Sequence, residues 1–304
     1  MKTIWVLIII VGILAVLGFG LFILGHKGII SNTAPSGTIR IVAAEDFYGN
    51  IAQQLGGDKV SVTSIISNPN VDPHEYESSV QDSIAITNAN IVIENGLQYD
   101  TWMEKLLSAS PNSNRILITA GMVAPNLLQD NPHVWYGIDN ISAIASAVTN
   151  ALIKTDPADA ALFQSNLVAF NSSLVPITTK MNEIGTQYAG TAVGLTETIY
   201  LYQTEAMGLG VLTPFDFEKA IAEGNDPSAQ DVNTANKQIV NKQISVLIYN
   251  SQTVTPITTN LLDLAQANGI PVVPVTETMP PNDTYQTWMM DELNALTSAL
   301  AQSH

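Results

Sequence analysis

TIRIVAAEDFYGNIAQQLGGDKVSVTSII, Thr38 to Ile66, holds a short β-branched run, a segment with helical spacing, and a second β-branched run. A strand of about five to seven residues, a helix of about ten and another strand make a βαβ unit, whose two strands lie parallel. The alternation continues through SSVQDSIAITNA, NIVIENG, DTWMEKLLSA and RILITAG. It restarts after Tyr188 with TAVGLTE, IYLYQTEAMGL, PSAQDVNTANKQIVNKQ, SVLIYN, TPITTNLLDLAQANG, PVVPVTE and TYQTWMMDELNALTSAL.

The pattern predicts an α/β fold of two Rossmann-like lobes, 38–155 and 189–304. Between them, Asp156 to Tyr188 has helical apolar spacing at Leu162, Leu167, Phe170 and Leu174 and no strand signal. Asp156 followed by Pro157 suits a helix start. Pro176 is expected to kink this helix without ending it. The expectation is one long backbone helix, 156–188, joining the lobes and permitting small rocking.

The apolar run Ile4 to Leu24, IWVLIIIVGILAVLGFGLFIL, contains no charged side chain. At ~1.5 Å per residue such a helix spans roughly 30 Å, the hydrocarbon thickness of a bilayer. A cleaved secretory signal has a shorter apolar core and a small-residue cut site. Residues 1–27 are therefore expected to be an N-terminal transmembrane helix acting as an anchor, and 28–37 a Ser/Thr/Pro/Gly linker. Lys2 and Lys27 flank the run almost symmetrically, so the positive-inside count does not orient it.

Eleven Lys+Arg against 27 Asp+Glu give a formal charge of −16. That balance repels phosphate backbones, excluding nucleic acid as a partner, and attracts cations to an acidic cleft. With no cysteine in the chain, disulfides, thiolate metal sites and a lipid-modified cysteine are all excluded. Any metal must be held by nitrogen and oxygen.

Of four histidines, His26 lies beside the apolar run and His304 is the last residue. The other two, His74 and His133, both follow a proline in a loop expected at a strand's carboxyl end. Glu197 ends TAVGLTE and Glu277 ends PVVPVTE, at equivalent places in the second lobe. Two imidazoles from one lobe and two carboxylates from the other predict a cleft site for a divalent ion. Taken singly, a Pro-His loop also reads as an exposed turn, and either glutamate as a charge complementing a helix N-terminus. Asp72, Glu75 and Glu77 crowd His74; they read as solvated, or as carboxylates that orient the ring.

These residues resemble a known family. From Ile39 to Leu300 the chain is similar to the substrate-binding proteins of ABC transporters for divalent transition metals, the manganese and zinc group named after the treponemal TroA protein. The resemblance is carried by AAEDFYGNIAQQLGGDKVSVTSII, DPHEYESSVQDSIAITNANIVIENGLQYDTWMEKL, NPHVWYG, GLTETIYLY and VTETMPPNDTYQTWMMDELNAL. It implies two α/β lobes joined by one long helix, with the metal between them. It implies His74, His133, Glu197 and Glu277 as ligands. The chain departs from the family pattern at Glu277, where aspartate is commoner, and at Asn131, where aspartate is usual. It also lacks the His-rich loop of zinc-type members.

Two imidazoles and two carboxylates suit Mn(II), Fe(II) or Zn(II), with manganese favoured over tetrahedral zinc where bidentate carboxylates raise the coordination number; the site is expected to take Mn(II) or Zn(II). The function implied is extracytoplasmic capture by a membrane-anchored monomer and delivery to an ABC permease subunit, without catalysis. Two other classes stay open on sequence alone: a metallohydrolase using Glu75 or Glu77 as base, and a surface protein of cell adhesion keeping the fold. Against the hydrolase, the chain has no HExxH pair and no phosphate-binding glycine loop.

Overall fold

The computed structural model describes residues 37–303, apart from Pro69, Asn70, Asp72, His74 and Glu75. Strand β1 (Ile39–Glu45) is buried at every position but Arg40, as a parallel strand covered on both faces must be. Helix α1 (Asp46–Gly56) follows at once, with the acidic Asp46 in its first turn, and leads into β2 (Val60–Ile66). Gly49 of α1 faces β2 so closely that a Cβ there would stand 2.1 Å from Ser64 Oγ. Helix α2 (Val80–Asn88) opens on a capping box in which Ser79 and Asp82 satisfy each other's backbone N–H. Then come β3 (Ile91–Glu94), α3 (Thr101–Ala109), β4 (Ile116–Thr119) and α4 (Ile138–Thr155).

The segment expected as one helix is two. Asp156 and Pro157 open a short 3-10 turn, followed by α5 (Ala160–Ser173) and α6 (Val175–Tyr188), with the break at Leu174. Pro176 sits in the first turn of α6, where its missing N–H leaves no hydrogen bond unmade. The proline thus starts a helix, and the discontinuity falls just before it.

The second half repeats the alternation: β5 (Ala192–Leu195), α7 (Leu201–Met207), β6 (Gly210–Val211), α8 (Phe215–Ala222), α9 (Ala229–Val240), β7 (Val246–Asn250), α10 (Pro256–Ala267), β8 (Val272–Val275) and α11 (Tyr285–Gln302). The two four-stranded sheets are wholly parallel and have the same order, β2-β1-β3-β4 and β6-β5-β7-β8. The α/β expectation with two parallel sheets therefore holds.

Side-chain alternation sorts each sheet into two faces. Ile39, Ile41 and Ala43 of β1 join Val193 and Leu195 of β5 in one continuous core with Phe47, Trp135, Tyr285 and Trp288. Val42 and Ala44 face the other way, onto Ile86, Trp102 and Met103. Leu247 of β7 likewise packs on Phe217, Ile239 and Leu261. The shared core holds the two sheets together, and each keeps a smaller core on its outer face. The expected membrane anchor, Ile4 to Leu24, lies outside the described residues; among those described, no helix is long and apolar enough to cross a membrane.

Candidate metal centre

In each sheet the strand order reverses beside the first strand, between β1 and β3 and between β5 and β7. Loops leaving these strands diverge and open a crevice, where ligands of such sheets sit. Glu197 follows β5 by two residues, and Asn250 is the last residue of β7. Glu277 follows β8, its N–H donating to Gln252 Oε1 at 2.6 Å. His133 lies between β4 and α4, immediately before the short turn Val134–Tyr136. His133, Glu197 and Glu277, the three of the four predicted ligands among the described residues, are at most 2% exposed.

Asn250 brings the glutamates together. Its side-chain amide nitrogen donates to Glu197 Oε1 and, at 2.7 Å, to Glu277 Oε1. The same nitrogen lies 2.9 Å from Thr253 Oγ1. An amide offers two protons, so three acceptors around one nitrogen share them. The other oxygen of Glu277 accepts from the Tyr99 hydroxyl at 2.8 Å, across the two halves of the molecule. Burial, and then the charge of Glu277, hold Tyr99 well above the usual tyrosine range, so it remains a donor.

The histidine is fixed by a second asparagine. Asn131 Nδ2 donates to the Thr198 carbonyl at 2.8 Å, leaving its Oδ1 as acceptor for the His133 backbone N–H at 3.0 Å and ring Nδ1 at 2.8 Å. Nδ1 therefore carries the proton and Nε2 the lone pair, the tautomer that presents Nε2 to a metal. Because Thr198 adjoins Glu197, this link also ties the histidine loop to the glutamate loop. Trp135 and Tyr99 pack edgewise against the imidazole, at ring separations of 5.2 and 5.9 Å. A cleft of about 650 Å³ is lined by Asn131 and Thr198, both of which approach His133 Nδ1, and by Leu97 and Pro132. Lys219 and Asp130 also border the cleft, paired at 2.9 Å.

Tyr99 is presented by a tight turn. Gly96, Leu97 and Gln98 all have left-handed backbone, with φ of 74, 55 and 69°. Asp100 holds the turn by accepting from the N–H groups of Asn95 and Gly96 at 2.6 and 2.8 Å. A Cβ on Gly96 would also meet Thr119 Cγ2 at 2.6 Å, so glycine is required there twice over.

His74 lies outside the described residues, as do Asp72 and Glu75. Its predecessor Pro73 is buried, and the Pro73 carbonyl accepts from Trp102 Nε1 at 3.2 Å. Glu77 is exposed, matching the solvated alternative. Among the described residues no group of three or more His, Asp or Glu side chains is arranged to hold a metal ion. Asn250 and Tyr99 instead occupy carboxylate oxygens with hydrogen bonds. Sequence reasoning missed both. Asn250, a polar residue ending the apolar run SVLIYN at a strand's carboxyl end, carried a readable signal, whereas Tyr99 in a loop carried none.

The chain matches the family described as ZnuA, zinc-uptake complex component A, periplasmic, over residues 41–299. It belongs to that family. The name describes a component of an uptake complex, not an enzyme. Among solved structures sharing the fold, the periplasmic zinc binding protein TroA from Treponema pallidum superposes with a TM-score of 0.75 at 20% identity, over 87% of this chain and 99% of that one. The binding protein FpvC from Pseudomonas aeruginosa, in complex with Mn2+, gives 0.73 at 19% identity, over 88% of this chain and all of that one. Among curated relatives, the metal ABC transporter substrate-binding lipoprotein FimA of Streptococcus parasanguinis is 25% identical over 166 residues, 50% of this chain and 53% of that protein. The manganese-binding lipoprotein MntA of Halalkalibacterium halodurans is 24% identical over 45% of this chain and 46% of that protein. This ZnuA-family chain thus spans about half the length of the curated relatives it matches.

Proposed function

We propose that this ZnuA-family protein is the extracytoplasmic binding component of an ABC importer, capturing a divalent transition metal ion, Mn(II) or Zn(II), and delivering it to a permease. One observation carries the reading: Glu197 and Glu277, from different strands, converge on one Asn250 amide beside Tyr99, at the carboxyl ends of the sheets. Two buried carboxylates drawn to a single partial positive charge form a place where a cation replaces the amide. His133 supplies an imidazole in the metal-binding tautomer, and His74 is the fourth ligand in this reading.

The ion enters by the cleft past Asn131 and Thr198, and the acidic chain raises its concentration nearby. Each half of the molecule supplies part of the ligand set, so separation of the halves by the permease suffices for release. No bond in the cargo is made or broken, and binding rather than catalysis is the activity. Residues 1–27 serve as the anchor and 28–37 as the tether; the two lobes are 38–155 and 189–304, with 156–188 between them, and one copy docks on the permease.

Calorimetric titration of the full-length, metal-stripped protein with Mn(II) and Zn(II) tests this. Binding of one or both below ~10 μM is expected. Absence of binding by both overturns the proposal, and His133→Ala should abolish the signal in a protein that still folds.

A further inference from the structure

The register of the two sheets assigns a counterpart to Glu197. In the second sheet Leu195 pairs with Ile248, so two residues onward Glu197 stands level with Asn250. In the first sheet Ala43 pairs with Ile93, so two residues onward Glu45 stands level with Asn95. The two sheets have the same strand order, and these are the strands flanking each reversal of direction. A glutamate beside an asparagine thus occupies the same topological position in both halves.

The two pairs differ in how the glutamate is held. Asn250 donates to Glu197, whereas Asn95 is used elsewhere. Its Nδ2 donates to the carbonyls of Gly96 and Pro132 at 3.1 and 3.0 Å, and its Oδ1 accepts from the Tyr48 hydroxyl at 2.7 Å. Glu45 is fully buried, and neither carboxyl oxygen has a hydrogen-bond partner. Glu292, by contrast, is held by donors from Tyr136, Trp288 and the Thr276 N–H, while Glu218, buried without a partner as Glu45 is, lies on helix α8 and not at a strand end.

Glu45 also faces the right way. It shares the strand parity of Ile41 and Ala43, which point into the core containing Tyr99, Val134 and Trp135, not toward the outer core of Val42 and Ala44. After Glu277, it is the charge felt most by Tyr99, whose hydroxyl bonds Glu277. The charges felt by Glu45 itself are Asp100, Asp46 and Glu94, all carboxylates.

We propose that Glu45 is a further ligand of the captured ion, the first-lobe counterpart of Glu197, and that its oxygen biases the site toward ions accepting more than four donors, Mn(II) over tetrahedral Zn(II). This rests on the reading of the centre as a divalent-metal site. A buried carboxyl without a donor, on the face shared with Tyr99, is one that a bound cation would stabilise.

The test is calorimetric titration of the full-length protein and of Glu45→Gln with Mn(II) and with Zn(II), with thermal unfolding as a folding control. Glu45→Gln is expected to lose at least about tenfold in Mn(II) affinity and less than about threefold for Zn(II). Unchanged affinities for both ions overturn the assignment of Glu45 while leaving the metal-binding function intact. Failure of the parent protein to bind either ion overturns both. Equal losses for the two ions in a destabilised variant mean a structural effect and also overturn it. Because the chain has no cysteine, Glu45→Cys loaded with Co(II) gives a second readout. A thiolate charge-transfer band can then arise only from position 45, and it supports direct ligation.

Discussion

Tyr99 donates its hydroxyl proton to Glu277 at 2.8 Å, joining residues 178 apart in the chain. The bond both orients a proposed ligand and links the two halves. Tyr99→Phe keeps the ring that packs on His133 and Trp135 but removes the donor. It is expected to weaken Mn(II) binding by about tenfold, as loss of a residue backing a metal ligand commonly does. Titration calorimetry of the variant against the parent checks this, and an unchanged affinity would show that Glu277 needs no such support.

Asn131 sets the His133 tautomer through its Oδ1. Asn131→Ala should cost about 10- to 100-fold in metal affinity. Asn131→Asp replaces a neutral acceptor with a charged one, making the imidazole a stronger donor to the ion, and should bind metal at least as tightly as the parent. Titration of both variants distinguishes acceptor loss from loss of packing, because only the alanine lacks an acceptor.

Asn250 is the shared donor of two buried carboxylates. Asn250→Ala leaves them facing each other without it, at a cost of roughly 1–3 kcal/mol to the metal-free protein. A bound cation supplies the missing positive charge. The rise in melting temperature on adding metal should therefore be larger for Asn250→Ala than for the parent, read by thermal unfolding with and without Mn(II).

Glu292 has a separate pH signature. Burial pushes its carboxyl up to about 8 despite three donors around it. When protonated it can donate to the Tyr136 oxygen while Tyr136 donates to the Thr276 carbonyl at 2.8 Å, which satisfies every partner. The folded pKa lies above the unfolded value near 4.5, so this contribution is full below pH 4.5 and is lost as pH rises toward 8. The slope is roughly 1.4 kcal/mol per pH unit across that window. Glu292→Gln offers a neutral amide of the same shape and should be the more stable protein at pH 8.5, with a flatter profile. Denaturant unfolding at several pH values measures the difference.

Much of this was legible in the sequence, for identifiable reasons. The βαβ pattern of Thr38–Ile66 is a local signal, and the parallel pairing followed from it. Glu197 and Glu277 were singled out because charged residues ending apolar runs mark strand ends, and His133 because it follows a proline in a loop expected at such an end. Glu45 ends IRIVAAE in the same manner but was given no role, since the site was sought from the histidines outward. Tyr99 acts through Glu277, 178 residues along the chain, which spacing does not encode, whereas Asn131 stands two residues before His133 and was noted only as a departure from the family pattern. The break at Leu174 was missed because Pro176 suggested a kink inside a helix; its place in the first turn of α6 depends on packing beyond the local sequence.

The fastening between the two halves of the molecule is built chiefly of neutral groups. Gln54 pairs with Gln286 at 3.0 Å, Asn50 accepts from the Tyr285 N–H, Tyr285 donates to the Trp135 carbonyl, and Gln203 to the Tyr136 carbonyl. Amides and hydroxyls are little affected by dissolved salt, whereas the attraction of a cation to a chain of charge −16 is screened beyond about 10 Å. On the proposed reading, salinity therefore governs how often an ion arrives and weakens the exposed Lys219–Asp130 pair between the halves, but leaves these amide and hydroxyl links nearly untouched.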